Sequence, residues 1–258
     1  MTLPLSVVMA SRMEKAAADN GFDGDPVREG GWIAVASSRC PLRVWLGAVG
    51  ETVFLVGLSQ ANVALALGDH GTPLTAPLPR GARGGRSVTT MTALYALLRR
   101  AFQLGRSLPN ELLQRFEAQT RSLPRSTEVE RMTVQRVGQD IFREGLLEYW
   151  EGRCAVTGLA VPEILRASHI KRWADCDLDA ERLDIWNGLL LAPHLDAVFD
   201  QGFVTVADDG AVVVSPELGS EARHLLGLDA GLRVKRLEDG HRAYLAWHRA
   251  REFRSPSP

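Results

Sequence analysis

The sequence predicts an α+β protein made of two parts, and three observations support this prediction. The first hundred residues contain short apolar runs typical of β-strands, separated by turns rich in Gly and Pro. From Thr89 onward the apolar residues recur at helical spacing. The second half then contains a strand, a loop, another strand and a helix in succession. We expect a small α+β domain at 1–105, a helical linker at 106–133 and a second α+β domain at 134–254.

The elements of the first segment follow from apolar spacing and turn residues. Residues 1–20 predict a short helix or a frayed end. Apolar, β-branched and aromatic residues predict three strands, and helical spacing that stops at Gly68 predicts a short helix. The strands are expected at 32–36, 42–46 and 52–56, the helix at 60–68, and a loop rich in Gly and Pro at 73–85.

Three longer helices and a hairpin are predicted after this loop. Each helix has its apolar residues on one face. The longest is preceded by Ser126-Thr-Glu-Val-Glu130, which resembles a capping sequence. Ala207-Asp-Asp-Gly210 lies between two valine-rich runs and predicts a tight turn. The helices are expected at 92–104, 110–119 and 127–150, and the hairpin strands at 203–206 and 211–214.

Composition excludes several classes of protein. The chain has 30 Lys and Arg against 31 Asp and Glu, which excludes a uniformly basic coat for nucleic acid. No apolar run approaches the ~20 residues of a membrane span, and the N-terminus lacks the basic region of a signal peptide. We therefore expect no membrane association and a cytoplasmic location. Three cysteines without a Cys-x-x-Cys pair argue against a disulfide framework, and three thiols exclude a four-cysteine zinc site.

Positive charge is concentrated in one segment. Between Arg80 and Arg136 there are eleven arginines and four glutamates, a net charge of +7. Solvated helix faces and a mobile loop would explain this charge, and so would a stripe that contacts phosphates. Charge alone does not separate these two interpretations.

The second half contains the candidate catalytic and metal-binding residues. A short predicted strand ends at His169, Asn187 precedes a second strand, and Pro193 begins a helix with His194 in its first turn. A neutral imidazole can deprotonate a water molecule beside a phosphate. A divalent ion can neutralise the charge that develops on the phosphate, and a second histidine can bind that ion. This order of residues favours phosphodiester hydrolysis.

At these residues the sequence resembles the HNH (ββα-metal) endonuclease family. The resemblance rests on Ala167-Ser-His-Ile-Lys171, Asn187-Gly-Leu-Leu-Leu191 and Pro193-His-Leu-Asp196, and it extends to Val134-Gln-Arg-Val-Gly-Gln-Asp-Ile-Phe142 and Cys154-Ala-Val-Thr-Gly158. It covers about 120 residues, near half of the chain. It implies an α+β fold with a ββα-metal nuclease module at the C-terminus.

The resemblance also implies roles for individual residues. His169 matches the general base, Asn187 the residue that braces the loop, and His194 a metal ligand. Ser168 and Val198 stand where many relatives have further ligands, so the motif leaves the ligand shell incomplete.

Two carboxylates and three cations flank the motif. Asp196 and Asp200 are the nearest carboxylates, and on an ideal helix neither shares a face with His194. We expect both to act as caps or braces, with Asp200 as the alternative metal ligand. Arg166, Lys171 and Arg172 flank the base and are candidates for contacts with DNA phosphates or for solvated charge.

We therefore expect a metal-dependent DNA endonuclease that uses Mg²⁺, Mn²⁺, Ni²⁺ or Zn²⁺. By analogy it would be a restriction or defence enzyme whose N-terminal domain reads DNA. One alternative is a nuclease gated by a small signal that the N-terminal domain senses. A second is a DNA-binding protein with a degenerate nuclease site. Cutting both strands with one site per chain would suit a homodimer, although no sequence feature indicates one.

Overall fold

A computed structural model describes residues 5–75, 77–108, 111–124, 126–229 and 231–255. The chain divides into two compact units, Met1–Leu108 and Pro109–Pro258. Residues 109, 110 and 125 of the predicted linker lie outside the described residues. Among the helices of the described ranges, none is long and apolar enough to cross a membrane.

The N-terminal unit is an antiparallel sheet accompanied by helices. Its elements in chain order are α1 (Val7–Asp19), β1 (Val27–Glu29), β2 (Trp32–Ala36), β3 (Arg43–Val49), β4 (Val53–Leu58), α2 (Ala61–Ala66), β5 (Thr72–Pro73), β6 (Gly84–Val88) and α3 (Met91–Ser107). The strand order in the sheet is β1-β2-β3-β4-β6-β5, and every neighbouring pair is antiparallel.

Both faces of this sheet are buried at its centre. The five middle residues of β3 are all buried, although side chains alternate between the two faces of a strand. On one face Trp32, Trp45 and Leu55 form an apolar cluster, and Leu74 and Ala82 pack against it. The segment between β5 and β6 therefore closes a face that would otherwise expose two tryptophans.

The loop predicted in the Gly- and Pro-rich stretch at 73–85 is shorter than expected. This stretch contains the end of β5 and the beginning of β6. Its glycines are required by close packing, since a Cβ atom at Gly84 would lie 2.5 Å from that of Ala64, and one at Gly85 would lie 2.9 Å from the Val56 carbonyl. Glycine usually argues against a strand, which is why the sequence pattern failed here.

Some of the clustered arginines support the fold of the N-terminal unit. Arg86 is buried and donates hydrogen bonds to the carbonyl oxygens of Ala64, Leu65 and Gly71. These carbonyls include the end of α2, where a cation is favourable. Arg100 is also buried, with 2% of its surface exposed. The positively charged segment between Arg80 and Arg136 is therefore not a uniform surface stripe.

The C-terminal unit combines helices with two short hairpins. Its elements are α4 (Glu111–Thr120), α5 (Glu128–Tyr149), β7 (Arg166–His169), α6 (Asp179–Arg182), β8 (Gly188–Leu191), α7 (Pro193–Asp200), β9 (Val204–Val206), β10 (Val212–Val214), α8 (Ser220–Leu225) and α9 (Asp239–Arg251). Short 3₁₀ turns occupy Trp173–Asp175 and Ile185–Asn187.

The helix α5 supports the β7–β8 hairpin. A Cβ atom at Gly188 would lie 2.5 Å from the ring of Phe142 and 2.9 Å from Leu146, so the absent side chain lets α5 approach the strand. Thr127 and Glu130 form the capping box at the start of α5, which confirms the capping prediction. The mixture of helices and sheets confirms the α+β fold class.

Candidate active site

Two strands and a helix come together around the predicted motif. β7 and β8 pair antiparallel, with His169 opposite Gly188 and Arg166 opposite Leu191. Only Ala192 separates β8 from α7. This helix begins with Pro193 at its first position, where a missing N–H costs no helical hydrogen bond. Because α7 packs against β7, the two strands and the helix form one compact module.

The ring of His169 is packed tightly against α5. It stacks on Phe142 with 3.8 Å between ring centroids and 16° between ring planes. Trp173 meets the same imidazole edge-on at 5.6 Å. Burial lowers the pKa of His169 to about 4, so the imidazole is neutral at physiological pH.

One hydrogen bond determines the tautomer of His169. Its Nε2 lies 2.9 Å from the carbonyl oxygen of Arg182. A carbonyl oxygen only accepts, so Nε2 carries the hydrogen and Nδ1 keeps the lone pair. The side chain is therefore ready to accept a proton at Nδ1.

Asn187 connects the loop after β7 to the start of β8. Its side-chain oxygen accepts the backbone N–H of Lys171 at 2.7 Å, and its amide nitrogen donates to the carbonyls of Lys171 and Glu181 at 3.1 Å each. The residue is fully buried, and the same nitrogen lies 3.4 Å from Sγ of Cys176. Asn187 thus holds the loop that carries the Arg182 carbonyl.

Ser168 connects β7 to α7. Its hydroxyl donates a hydrogen bond to the carboxylate of Asp196. Adjacent residues of a strand point to opposite faces, so Ser168 faces α7 while His169 faces α5. The residue at the predicted ligand position thus orients a carboxylate from the helix.

The other candidate ligands on α7 differ in orientation. Asp200 is one helical turn after Asp196 and lies on the same side of α7, whereas His194 is two residues before Asp196 and lies on the opposite side. His194 is exposed, and its ring makes no hydrogen bond to another described residue. The structure therefore groups Asp196 and Asp200 on one side of α7 and places His194 apart from them.

The oxygen donors restrict the kind of metal site that these residues can form. Within the described ranges, no three His, Cys, Asp or Glu side chains lie close enough to hold a metal ion. Mg²⁺ commonly binds one or two carboxylates and completes its shell with water and substrate phosphate. Asp196 and Asp200 supply oxygen donors of the kind that a hydrated Mg²⁺ or Mn²⁺ ion binds, whereas two carboxylates alone do not make a closed tetrahedral zinc site.

The three predicted phosphate-contacting cations have different surroundings. Lys171 forms an ion pair with Glu181 at 3.0 Å, and this hydrogen-bonded carboxylate raises the pKa of Lys171. Arg172 pairs with Glu252 at 2.6 Å and donates to the backbone carbonyl of Asp200. Arg166 is exposed and has no ion pair with any described residue. Only Arg166 is therefore available to a phosphate without breaking an ion pair.

Two features of this region were missed by sequence reasoning. The first is the Arg182 carbonyl. It is a backbone group, so no residue type in the sequence indicates its role. A cavity of about 180 Å³ is lined by Trp150, Arg153, Lys235 and other residues, and it joins cations that lie about 80 positions apart in the chain. Motif spacing does not detect such a long-range combination.

Comparison with known proteins agrees with the geometry of the module. Residues 154–207 match the HNH endonuclease family, and this range includes β7, β8, α7 and β9. No curated protein matches the chain. The C-terminal half therefore contains an HNH endonuclease domain, which confirms the family predicted from the motifs around His169, Asn187 and His194.

Proposed function

We propose that this protein is a metal-dependent endonuclease that hydrolyses phosphodiester bonds of DNA. The observation that carries the proposal is His169, a neutral imidazole whose Nδ1 lone pair is fixed by the Arg182 carbonyl within an HNH endonuclease domain. Catalysis by a base needs this protonation state before the reaction begins.

In the proposed reaction, His169 accepts a proton from water at Nδ1. The water oxygen forms a bond to phosphorus while the bond from phosphorus to the leaving oxygen breaks, and that oxygen takes a proton from solvent water. Phe142 and the Arg182 carbonyl keep the imidazole oriented. Asn187 acts through the loop that positions this carbonyl, and it has no direct contact with the reacting atoms.

We propose that Asp196 and Asp200 hold the divalent ion, with Ser168 orienting Asp196. When bound, such an ion supplies positive charge that stabilises the phosphate and the leaving oxygen. His194 remains the ligand that the family motif implies. The geometry of α7 favours the two carboxylates, because they lie on one side of the helix, where Ser168 contacts Asp196, and His194 lies on the other side.

DNA phosphates would contact the exposed cations of the domain. Arg166 lies on the β7–β8 hairpin, and Arg153 and Lys235 line the basic cavity. Lys171 and Arg172 would contribute only after losing Glu181 or Glu252 as partners. We expect Arg166 to contribute more to DNA affinity than either of them.

A restriction or defence role, an N-terminal domain that reads DNA and a cytoplasmic location belong to the same proposal and rest on analogy with other HNH proteins. A homodimer would allow cutting of both strands. The alternative of a degenerate DNA-binding site is motivated by Ser168 and Val198. The fixed tautomer of His169 favours the enzyme over this alternative.

Cleavage of supercoiled plasmid with Mg²⁺ or Mn²⁺, and with excess EDTA, tests the proposal. We expect nicked or linear product only with the metal. DNA that binds the protein but stays intact with every divalent ion would support the degenerate binder. Undiminished cutting in EDTA would contradict metal dependence. Plain, methylated and hydroxymethylated plasmids would test whether the N-terminal unit reads modification.

A further inference from the structure

The N-terminal unit contains a cleft at one end of its sheet. β2 ends at Ala36, β3 begins at Arg43, and β4 ends just before Ser59. The backbone N–H of Ser59 donates to the Arg43 carbonyl, and that of Arg83 donates to the Leu58 carbonyl, so Arg43, Ser59 and Arg83 are neighbours along this edge. The cleft has a volume of about 600 Å³, within the range of small-ligand sites.

The cations at this cleft have no acidic partner among the residues that the structure describes. Arg43 and Arg80 line it, both are exposed, and neither side chain has an ion pair or hydrogen bond to another described residue. Arg83 at the rim is also exposed, without an acidic partner in the described ranges. By contrast, Arg28 of the same unit pairs with Glu14. A concave surface with unpaired guanidinium groups favours an anion.

Hydrogen-bond donors lie beside these cations. The Ser59 hydroxyl oxygen accepts the N–H of Arg43 at 3.0 Å, and the Ser37 hydroxyl oxygen accepts the N–H of Arg39 at 3.1 Å. Neither hydroxyl donates its hydrogen to another described residue. Both can therefore donate to oxygen atoms of a ligand in the cleft.

An aromatic residue completes the cleft. Trp45 lines it, although only 7% of this residue is exposed, and Gly81 lines the cleft beside the edge of its indole. The cleft therefore combines guanidinium groups, hydroxyl donors and a small apolar edge. These are complementary to a phosphate ester that carries a planar ring.

We propose that this cleft binds a nucleotide, with Arg43 and Arg80 holding the phosphate and Trp45 contacting the base or sugar. The nucleotide would be free in solution or part of a DNA strand. Nothing in the proposal depends on the nuclease site, since all residues that carry it belong to the N-terminal unit.

Binding by the full chain in EDTA tests this proposal without cleavage. The probes are the four deoxynucleoside 5′-monophosphates, the corresponding nucleosides, inorganic phosphate, and a fluorescent oligonucleotide as single strand and duplex. Arg43→Ala and Arg80→Ala are compared with Arg12→Ala, an exposed arginine on α1 outside the cleft. Arg43→Lys keeps the positive charge but loses the planar guanidinium group that can form two parallel hydrogen bonds to a phosphate.

We expect at least one monophosphate or oligonucleotide to bind about tenfold more weakly to each alanine variant than to Arg12→Ala, which corresponds to the loss of a charge-assisted hydrogen bond. Hydrogen exchange should slow at residues 37–43 and 80–83 when this probe binds. An effect on monophosphates identifies a free nucleotide, and an effect on the oligonucleotide alone identifies DNA.

Two results would overturn the proposal. One is affinity for every probe that is equal in the cleft variants and in Arg12→Ala, with all proteins folded by circular dichroism. The other is inorganic phosphate binding as tightly as any nucleotide, which would leave only a general anion site. Loss of plasmid cleavage without a change at this cleft would affect only the proposed nuclease function.

Discussion

At the scale of single residues, the surroundings of His169 determine when it can act as a base. Burial against Phe142 lowers its pKa to about 4, so the imidazole stays neutral far below pH 6.5. A general base is active in its neutral form, and activity should fall only when the pH approaches its pKa. We expect the acidic limb of kcat/KM near pH 4 to 5, and Phe142→Ala should move it upward. A wild-type limb centred at pH 6.5 would mean that His169 is solvated or not the base.

Asp196 and His194 lie on opposite sides of α7, so their substitution should affect metal binding differently. Asp196→Asn removes the carboxylate that Ser168 orients, and it should raise the Mn²⁺ concentration for half-maximal cleavage about tenfold or more. His194→Ala should have a smaller effect, because His194 lies on the opposite side of the helix. Mn²⁺ binding by electron paramagnetic resonance gives a readout independent of activity. The reverse order of the two variants would establish His194 as the ligand, as the family motif implies.

These residues also show how far the sequence alone could lead. The order of His169, Asn187 and the first turn of α7 could be predicted, since each depends on local spacing. The tautomer of His169 could not, because it depends on a backbone carbonyl thirteen positions away. The link between Ser168 and Asp196 spans 28 positions, and only the packing of α7 on β7 creates it.

At the scale of elements, Asn187 holds the loop between β7 and β8. Asn187→Ala removes its hydrogen bonds and leaves part-buried backbone groups of Lys171 and Glu181 without this partner. We expect the free energy of unfolding to fall on the order of 3 kcal/mol. Gln135→Ala, an exposed amide on α5, should change it by less than about 0.5 kcal/mol. Urea unfolding measures both variants, and equal effects would show that Asn187 does not brace the loop.

Elements with strong apolar periodicity could be predicted, and those created by tertiary contacts could not. β2 and α5 lie close to their predicted ranges, because alternation or a helical apolar face determines them. β6 was missed since its glycines look like breakers, although Ala64 and Val56 require them. Arg86 looked like a surface cation and is a buried donor to the end of α2.

At the scale of the whole molecule, buried histidines couple stability to pH. Burial lowers the pKa of His169 and His248 to about 4 and that of His241 to about 3, whereas in the unfolded chain each titrates near 6.5. As pH falls from 6.5 toward 4, these histidines bind protons in the unfolded state but stay neutral in the folded state. The free energy of unfolding should therefore decrease with falling pH, by about 1.4 kcal/mol per pH unit for each histidine.

Urea unfolding between pH 7.5 and 5 measures this dependence. Full stability is expected above pH 6.5, with a progressive loss below it. His241→Gln should make the slope shallower, because one buried group that titrates only in the unfolded state is gone. Stability that is constant over this range would show that the three histidines titrate near pH 6.5 in the folded protein as well.

The central claim for the whole molecule is that the HNH endonuclease domain hydrolyses DNA with His169 as its base. The most direct measurement is the initial rate of plasmid cleavage by His169→Ala, with His224→Ala as a matched control on an exposed histidine of the same unit. Equal DNA binding and equal circular dichroism would confirm that both variants are folded. We predict a loss of about 10²–10⁴-fold for His169→Ala and an unchanged rate for His224→Ala. A His169→Ala protein that cuts as fast as the wild type would contradict the account.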